Sequence, residues 1–193
     1  MLDFAMRSGE LDDVRRQVVP RARGVVLEIG AGSGANFPFY TSDVSALVAV
    51  DPSRELMDMA RSRAKALPFP SILVIGSADR LPLRDRSVDT LVITFTLCSI
   101  GAPAGALEEM RRVLKPGACL VFAEHGLSPD GRVRSWQNRL TPIWRRVAGG
   151  CHLNRKMDDL IRSAGFTIAS LETRYIAGPR FATYIYTGTA TPS

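Results

Sequence analysis

The sequence predicts a single α/β domain in which helices cover both faces of a seven-stranded, mostly parallel sheet with an antiparallel last strand. Short apolar runs alternate with helical segments along most of the 193 residues, which is typical of βαβ units. Glycines at alternate positions, Gly30, Gly32 and Gly34, follow the first apolar run, as expected where a sheet binds a nucleotide at its edge. Only a short loop with Gly178 and Pro179 separates the last two predicted strands, so we expect an antiparallel hairpin there.

Local patterns place each element along the chain. A helix is predicted over residues 1–20, where Leu11, Val14 and Val18 have helical spacing and Pro20 ends the helix. Mostly apolar runs, as in strands buried on both faces, predict the first five strands at 25–29, 45–50, 72–75, 87–95 and 118–123. Helices are predicted at 53–66, 103–114 and 157–164, and the two final strands at 166–173 and 181–187. In the first of these helices, Leu56, Met59, Ala60 and Arg63 are expected to share a face, and a tight turn is predicted at residues 115–117.

Residues 127–153 interrupt this alternation and form a predicted helical insert. Arginines are expected on the face opposite a single apolar stripe, and Pro142 is expected to kink or divide the helix. The stripe consists of Val133, Trp136, Leu140, Ile143, Trp144 and Val147. We expect the insert to be a lid or a substrate-selecting segment; the alternative is a helix that packs its tryptophans on the core.

The net charge of +6 is concentrated around this insert. Residues 126–156 contain seven basic residues and one acid, Asp130, so the rest of the chain is balanced. A localised basic patch suits an anionic partner, and an apolar stripe beside it suits a lipophilic acceptor or an anionic membrane surface. A solvated basic surface is the alternative, and nucleic acid is the least favoured partner.

The composition excludes several classes of protein. No apolar run approaches the ~20 residues that span a bilayer, and residues 1–10 carry acids and lack the apolar core of a secretory signal. The three cysteines, Cys98, Cys119 and Cys151, are an odd number without metal-ligand spacing, so we expect no disulfide framework and no metal site. These features predict a cytoplasmic protein, peripheral to a membrane if the insert binds one.

The glycine turn predicts a nucleotide-like ligand, and the neighbouring acids bear on its identity. Asp51 ends the second predicted strand 21 residues after Gly30, where a carboxylate meets ribose hydroxyls. A dinucleotide and S-adenosylmethionine both remain possible ligands from this pattern. Dinucleotide fingerprints usually run Gly-x-Gly-x-x-Gly and face a pyrophosphate, but here the third glycine is Gly34 and Glu28 precedes the turn. That acid would repel a pyrophosphate and tolerate a sulfonium, so charge favours S-adenosylmethionine.

Over residues 20–190 the chain resembles the class I S-adenosylmethionine-dependent methyltransferases. Five stretches match that family's motifs in the right order: residues 27–34, Asp51, and residues 76–82, 87–89 and 112–117. The resemblance implies a Rossmann-like three-layer sandwich and methyl transfer from S-adenosylmethionine to a small-molecule acceptor.

The resemblance also implies a set of cofactor contacts. Many relatives carry an acid where this chain has Ser77, so Asp79 or the backbone of Ala78 is expected to serve the adenine edge instead. The expected cofactor-binding residues are Glu28, Gly30, Ala31, Gly32, Gly34, Asp51, Pro52, Ser77, Ala78, Asp79 and Thr94.

A narrower resemblance concerns the methyl acceptor. Residues 34–40, 97–99, 124–125 and 136–153 resemble stretches of the membrane-associated alkyl-thiol methyltransferases. Those relatives carry an N-terminal hydrophobic anchor, which we do not expect here. The resemblance implies a small apolar acceptor such as an alkyl thiol. The alternatives are a phospholipid amine, a quinone precursor, and a non-catalytic protein that binds the cofactor at a membrane surface.

His125, at the end of the fifth predicted strand, is the predicted general base. A thiol must lose its proton to become the nucleophile, and imidazole exchanges protons near neutral pH. The alternative is a structural histidine bonded to the backbone. Cys98 is expected to be a small wall residue of the acceptor site. Residues 94–97 lack the Asn/Asp-Pro-Pro-Tyr element of many nucleobase and protein amine methyltransferases, which disfavours such substrates.

Overall fold

A computed structural model describes residues 9–193, and these residues form the predicted three-layer α/β architecture. Seven strands make one sheet: β1 (Gly24–Ile29), β2 (Val44–Asp51), β3 (Ser71–Ile75), β4 (Val88–Thr94), β5 (Leu114–His125), β6 (Phe166–Tyr175) and β7 (Tyr184–Pro192). The α-helices of the described part are α1 (Gly9–Val18), α2 (Arg54–Ala64), α3 (Pro103–Val113), α4 (Gly131–Val147) and α5 (Met157–Ser163). The part of the predicted N-terminal helix over residues 1–8 lies outside the described residues.

The strands lie in the order β3-β2-β1-β4-β5-β7-β6, and their number and directions confirm the predicted seven-stranded sheet with an antiparallel last strand. The first five strands pair in parallel, and β7 runs antiparallel to both β5 and β6. The strand order reverses direction between β1 and β4, which opens a crevice beyond the carboxyl ends of these two strands. Ligands of open α/β sheets bind at such a point.

Apolar side chains fill both faces of the central strands. In β1, Leu27 packs towards α3 and α5, whereas Val26 packs towards α1 and α2. In β4, Leu91 and Val92 divide between the two faces in the same way. Because successive side chains of a strand point to opposite faces, burial on both sides produces the continuous apolar runs seen in the sequence.

Two strands, β5 and β7, begin three or four residues away from their predicted first residues. β5 begins at Leu114, and the expected turn at residues 115–117 is an irregularity in its pairing with β4, with Gly117 at a φ of +74°. β7 begins at Tyr184 because Arg180–Ala182 form a 3-10 turn. The Phe181 ring in that turn packs edge-on against Trp144 of α4, with ring centroids 5.7 Å apart.

Helix α2 buries a different face from the one its predicted pattern indicated. Met57 and Ala60 are buried, whereas Met59, expected to share a face with Ala60, is 48% exposed. The helix begins after Ser53, whose hydroxyl oxygen accepts a hydrogen bond from the Leu56 backbone N–H.

Helix α4 also departs from its prediction. It continues through Pro142, which has no backbone N–H to donate to the carbonyl of Asn138. Both residues are exposed, so water can donate to that carbonyl instead. The predicted single apolar stripe is split. The buried side carries Val133, Gln137 and Thr141, while Trp136, Ile143 and Val147 are exposed.

Within residues 9–193, none of the helices combines the length and the apolar character that crossing a membrane requires.

Candidate active site

A cavity of about 680 Å³ opens beyond the carboxyl ends of the parallel strands. Most of the predicted cofactor residues line it, and so does His125. The predicted residues on its wall are Glu28, Gly30, Ala31, Gly32, Asp51, Pro52, Ser77, Ala78, Thr94 and His125. The glycine turn, the end of β2 and the end of β5 therefore converge on one site.

Gly30 forms the tightest part of the glycine turn. Its φ is +71°, and a Cβ at this position would overlap the side chain of Thr96 in the loop after β4. Only glycine allows the turn after β1 to approach that loop so closely. The contact places the backbone of the turn at the cavity wall.

Asp51 stands at the end of β2 with its carboxylate held by the backbone. Oδ2 accepts from the Gly32 N–H at 2.9 Å, and Oδ1 accepts from the Ser53 N–H at 2.8 Å. The side chain is largely buried, and each oxygen keeps further acceptor capacity. A carboxylate oriented in this way can accept two hydrogen bonds from a vicinal diol such as that of ribose.

Glu28 is a fully buried acid next to the glycine turn. Its Oε1 accepts from the Asn36 side-chain amide at 2.9 Å, and its Oε2 accepts from the Tyr40 hydroxyl at 2.7 Å. Burial raises the pKa of Glu28 to about 7, although both hydrogen bonds oppose that shift. A cation bound nearby would favour the ionised form of this carboxyl.

Two predicted cofactor residues, Gly34 and Asp79, are not among those that line the cavity. Gly34, at a φ of +79°, lies against Phe37, whose Cδ2 would be 2.8 Å from an added Cβ. Gly34 therefore shapes the turn, and Asp79 is an exposed loop residue. On the same loop, Ser77 and Ala78 do reach the cavity wall.

The other end of the cavity is more apolar and carries two sulfur atoms. Cys98, Ile100, Trp144, Cys151 and Leu153 line it together with His125. Cys98 is buried, as expected for a wall residue. The pKa of the Cys98 thiol is raised well above its ordinary range because the thiol donates to Cys151 and because it is buried.

His125 presents one paired and one unpaired ring nitrogen. Its Nδ1 lies 3.7 Å from the Cys151 sulfur. Its Nε2 is buried and has no hydrogen-bond partner among the side chains and backbone of residues 9–193. Neither ring nitrogen is hydrogen-bonded to the backbone of residues 9–193, so the alternative of a structural histidine bonded to the backbone is not observed.

Sequence reasoning gave no role to Glu124, which organises the loop at this end of the site. Its fully buried carboxylate accepts three consecutive backbone N–H groups, those of Thr96 and Leu97 at 2.8 Å and that of Cys98 at 3.1 Å. The Arg155 guanidinium holds the same loop from another side through the Leu97 carbonyl, at 2.6 Å. The sequence signal was an acid that directly follows the apolar residues of β5.

Cys151 was also given no role, because its partners are distant in sequence. Interactions with Cys98, His125 and Trp144 lower the pKa of the Cys151 thiol to about 5 even though burial opposes the shift. The residue lies just beyond α4, so the end of the insert contributes directly to the cavity.

S-adenosylmethionine fits the residues that line the cavity. Asp51 can bind a ribose through its fixed carboxylate, and the backbone at Gly30 leaves room for a ligand to lie directly against it. The buried carboxyl of Glu28 suits a cationic group. A pyrophosphate would instead meet two acids at this end, Glu28 and Asp51.

Comparison with known proteins agrees with this geometry. A methyltransferase-domain family model matches residues 27–122. The thiol S-methyltransferase TMT1B of Rattus norvegicus is 36% identical over 151 residues, which are 76% of this chain and 62% of the relative. The TMT1B of Homo sapiens is 30% identical over 175 residues, or 84% of this chain and 71% of the relative. The chain thus spans about two thirds of the length of these relatives.

Solved structures show the same fold. A chain of the structure "Complex between the Haloferax volcanii Trm112 methyltransferase activator and the putative methyltransferase" superposes with a TM-score of 0.75 at 20% identity. The match covers 99% of this chain and 94% of the other. From the cavity, the family model and these relatives, we conclude that the chain belongs to the class I S-adenosylmethionine-dependent methyltransferases, whose methyl donor is S-adenosylmethionine.

Proposed function

We propose that the protein transfers the methyl group of S-adenosylmethionine to a small, apolar thiol. The observation that carries the proposal is the buried Nε2 of His125, which lacks a protein partner among the described residues and belongs to a cavity wall rich in apolar groups. Leaving a buried polar atom unpaired costs about 1–3 kcal/mol, so such an atom calls for a ligand or a chemical role. The thiol specificity named for the two TMT1B relatives supports the acceptor class.

The residues divide the work between the two ends of the cavity. The bound donor supplies a methyl group already activated by its sulfonium, so the reaction needs alignment and an ionised acceptor. Asp51 and the backbone around Gly30 and Gly32 hold the nucleoside, and Glu28 balances positive charge. His125 accepts the acceptor's proton, since the thiolate is the nucleophile. The apolar wall around Ile100 and Leu153 desolvates a small alkyl group.

Residues 127–153 are proposed to act as a lid or substrate-selecting segment. The end of α4 and the residues after it reach the acceptor side of the cavity. Trp144, Ala148, Gly149, Cys151 and Leu153 all line it. Changes in this segment would therefore alter acceptor preference more than donor binding.

The outer face of α4 supports a further proposal: the protein is cytoplasmic and associates peripherally with an anionic membrane surface. At 3.6 residues per turn, the exposed Trp136, Ile143 and Val147 fall in one row, and Arg132, Arg139 and Arg146 border that row. The Arg139 guanidinium lies 6.0 Å from the centre of the Trp136 ring. An apolar row beside a basic row suits the boundary between acyl chains and anionic headgroups. The three free cysteines fit a reducing compartment.

Methyl transfer from labelled S-adenosylmethionine to a panel of alkyl thiols, amines and phenols tests the function. We expect label on the thiols and a loss of roughly 10²–10⁴-fold in kcat/KM for His125→Gln, the worth of a general base. Donor affinity should stay within about twofold. Label on amines or phenols alone would favour the lipid-amine or quinone-precursor alternative, and no transfer to any acceptor would favour a non-catalytic binding protein.

A further inference from the structure

We propose that Cys151 is a positioning residue that acts through His125: its sulfur accepts the Nδ1–H of His125 and leaves the Nε2 lone pair for the acceptor. The pair would work as the carboxylate and histidine of a hydrolase triad do, with a thiolate in place of the carboxylate. This inference rests on the proposed role of His125 as a base.

The contacts of the two ring nitrogens of His125 are the first support for this role of Cys151. Nδ1 is 3.7 Å from the Cys151 sulfur, a hydrogen-bond distance at which the tautomer of the ring decides which atom donates. Nε2 has no partner within residues 9–193. In neutral imidazole one nitrogen carries the proton, and the bond made by the other decides which one does. A sulfur acceptor at Nδ1 therefore selects the tautomer whose Nε2 can accept a proton.

The side chains around the Cys151 sulfur are the second support for this role. Cys98, His125 and Trp144 line the same cavity as Cys151, and each of them lowers the pKa of the Cys151 thiol, His125 also through its charge. Hydrogen bonds and an opposite charge stabilise the anionic form of a thiol. The same contacts keep Cys98 protonated as a donor, in agreement with its raised pKa.

The backbone fixes this arrangement from two sides. The His152 N–H donates to the Cys98 carbonyl at 2.9 Å, which ties the segment containing Cys151 to the loop after β4. Glu124 holds the same loop through its three backbone contacts. The titratable and charged groups around Cys151 are thus Cys98, His125, Glu124 and Arg155.

The proton path balances without another reactant. The acceptor thiol gives its proton to His125 Nε2, and the thiolate formed takes the methyl carbon as the donor's carbon–sulfur bond breaks. The resulting imidazolium keeps its Nδ1–H bonded to the anionic Cys151 sulfur, which stabilises the positive charge. The proton then leaves from Nε2 to solvent when the product departs. Cys151 forms no covalent bond in this sequence.

Three variants at one position test the proposal: Cys151→Ser, Cys151→Ala and Cys151→Asp. Nitrogen NMR of labelled histidine in the ligand-free protein should show the Nδ1–H tautomer of His125 in the wild type and a loss of that preference in Cys151→Ala and Cys151→Ser. Thiolate absorbance should titrate near pH 5 in the wild type and vanish with the same variants. Cys119→Ser, which replaces a cysteine outside the cavity, should change neither signal.

Kinetics provide the second readout. We expect kcat for alkyl thiols to fall about 10- to 100-fold in Cys151→Ala, which is less than the loss expected when a general base is removed. The acidic limb of the plot of kcat against pH should also be displaced in this variant. Cys151→Asp should restore part of the rate, because a carboxylate also accepts Nδ1–H. Wild-type tautomer preference and pH profile in folded Cys151→Ala or Cys151→Ser would overturn the proposal. If the wild type methylates no thiol but the NMR and absorbance results hold, the proposed function fails while the Cys151–His125 pairing stands.

Discussion

At the scale of single residues, the site depends on close approaches that only particular side chains permit. Gly30 and Thr96 meet where β1 and β4 end, and Asp51 is held by the N–H groups of Gly32 and Ser53. The contacts of Gly30 with Thr96 and of Asp51 with Gly32 join segments that are far apart in the chain. A small change at one of these residues should therefore affect the cofactor end of the cavity before it affects the fold.

Gly30→Ala tests this expectation. The added methyl group would overlap Thr96 at a φ of +71°, so we expect a loss of stability on the order of 1–3 kcal/mol and at least tenfold weaker donor binding by calorimetry. Gly105→Ala is the matched control, because that glycine lies in α3 with no atom within 4 Å of the added methyl. The control should gain roughly 0.5–1 kcal/mol. Unchanged donor affinity in Gly30→Ala would show that the turn does not shape the donor site.

At the scale of elements, α4 has two distinct sides. Its inner side packs on the 3-10 turn before β7 through Trp144 and Phe181 and reaches the cavity beyond its end. Its outer side combines the apolar row with the arginine row. The inner side belongs to the proposed acceptor site, whereas the outer side faces away from the protein core and suits a surface partner.

Flotation with vesicles tests the outer side of α4. We expect binding to vesicles that contain phosphatidylserine and little binding to neutral ones. Arg139→Glu should weaken binding about tenfold or more, since each basic residue near an anionic surface contributes about 1 kcal/mol and charge reversal counts twice. Arg84→Glu is the control, as it makes the same charge change on an exposed loop outside α4. Ile143→Ser should weaken binding through lost apolar burial. Equal binding to neutral and anionic vesicles would contradict the proposed membrane contact.

At the scale of the whole molecule, two buried acids make stability depend on pH. Burial raises the pKa of Glu28 and of Glu124 from the ordinary 4.5 to about 7. Between these values the folded state binds more protons than the unfolded state. The stabilising contribution of each group is therefore complete below pH 4.5 and is lost as the pH rises to about 7.

Urea unfolding of the wild type and of Glu124→Gln across this pH range tests that linkage. Glutamine cannot ionise, so the wild-type free energy of unfolding, measured relative to the variant, should fall by about 3 kcal/mol between pH 4.5 and pH 7. Opposing titrations elsewhere, including that of Cys151, occur in both proteins and cancel to first order. A relative stability that rises towards neutral pH would refute the assignment of a raised pKa to Glu124.

The sequence by itself determined the fold class, with its mostly parallel sheet and antiparallel last strand, and it placed Gly30, Asp51 and Glu28 at strand ends that line the cavity. Apolar runs report burial on both faces of β1 and β4, and the positions of Gly30, Asp51 and Glu28 follow from strand ends that are local in sequence. Local signals suffice there because a strand, its turn and its next helix are covalently adjacent. The same signals could not separate the two sides of α4, since Trp136 and Trp144 are equally apolar in sequence.

Only the tertiary structure decided the acceptor end. The contact of Cys151 with His125 spans 26 residues, and the bonds from Glu124 to the backbone of Thr96, Leu97 and Cys98 span 26 to 28. No periodicity or spacing encodes such contacts, because they depend on how β5, the loop after β4 and the end of α4 pack together. A buried acid and a cysteine acquire their roles only when that packing removes water and brings donors to them.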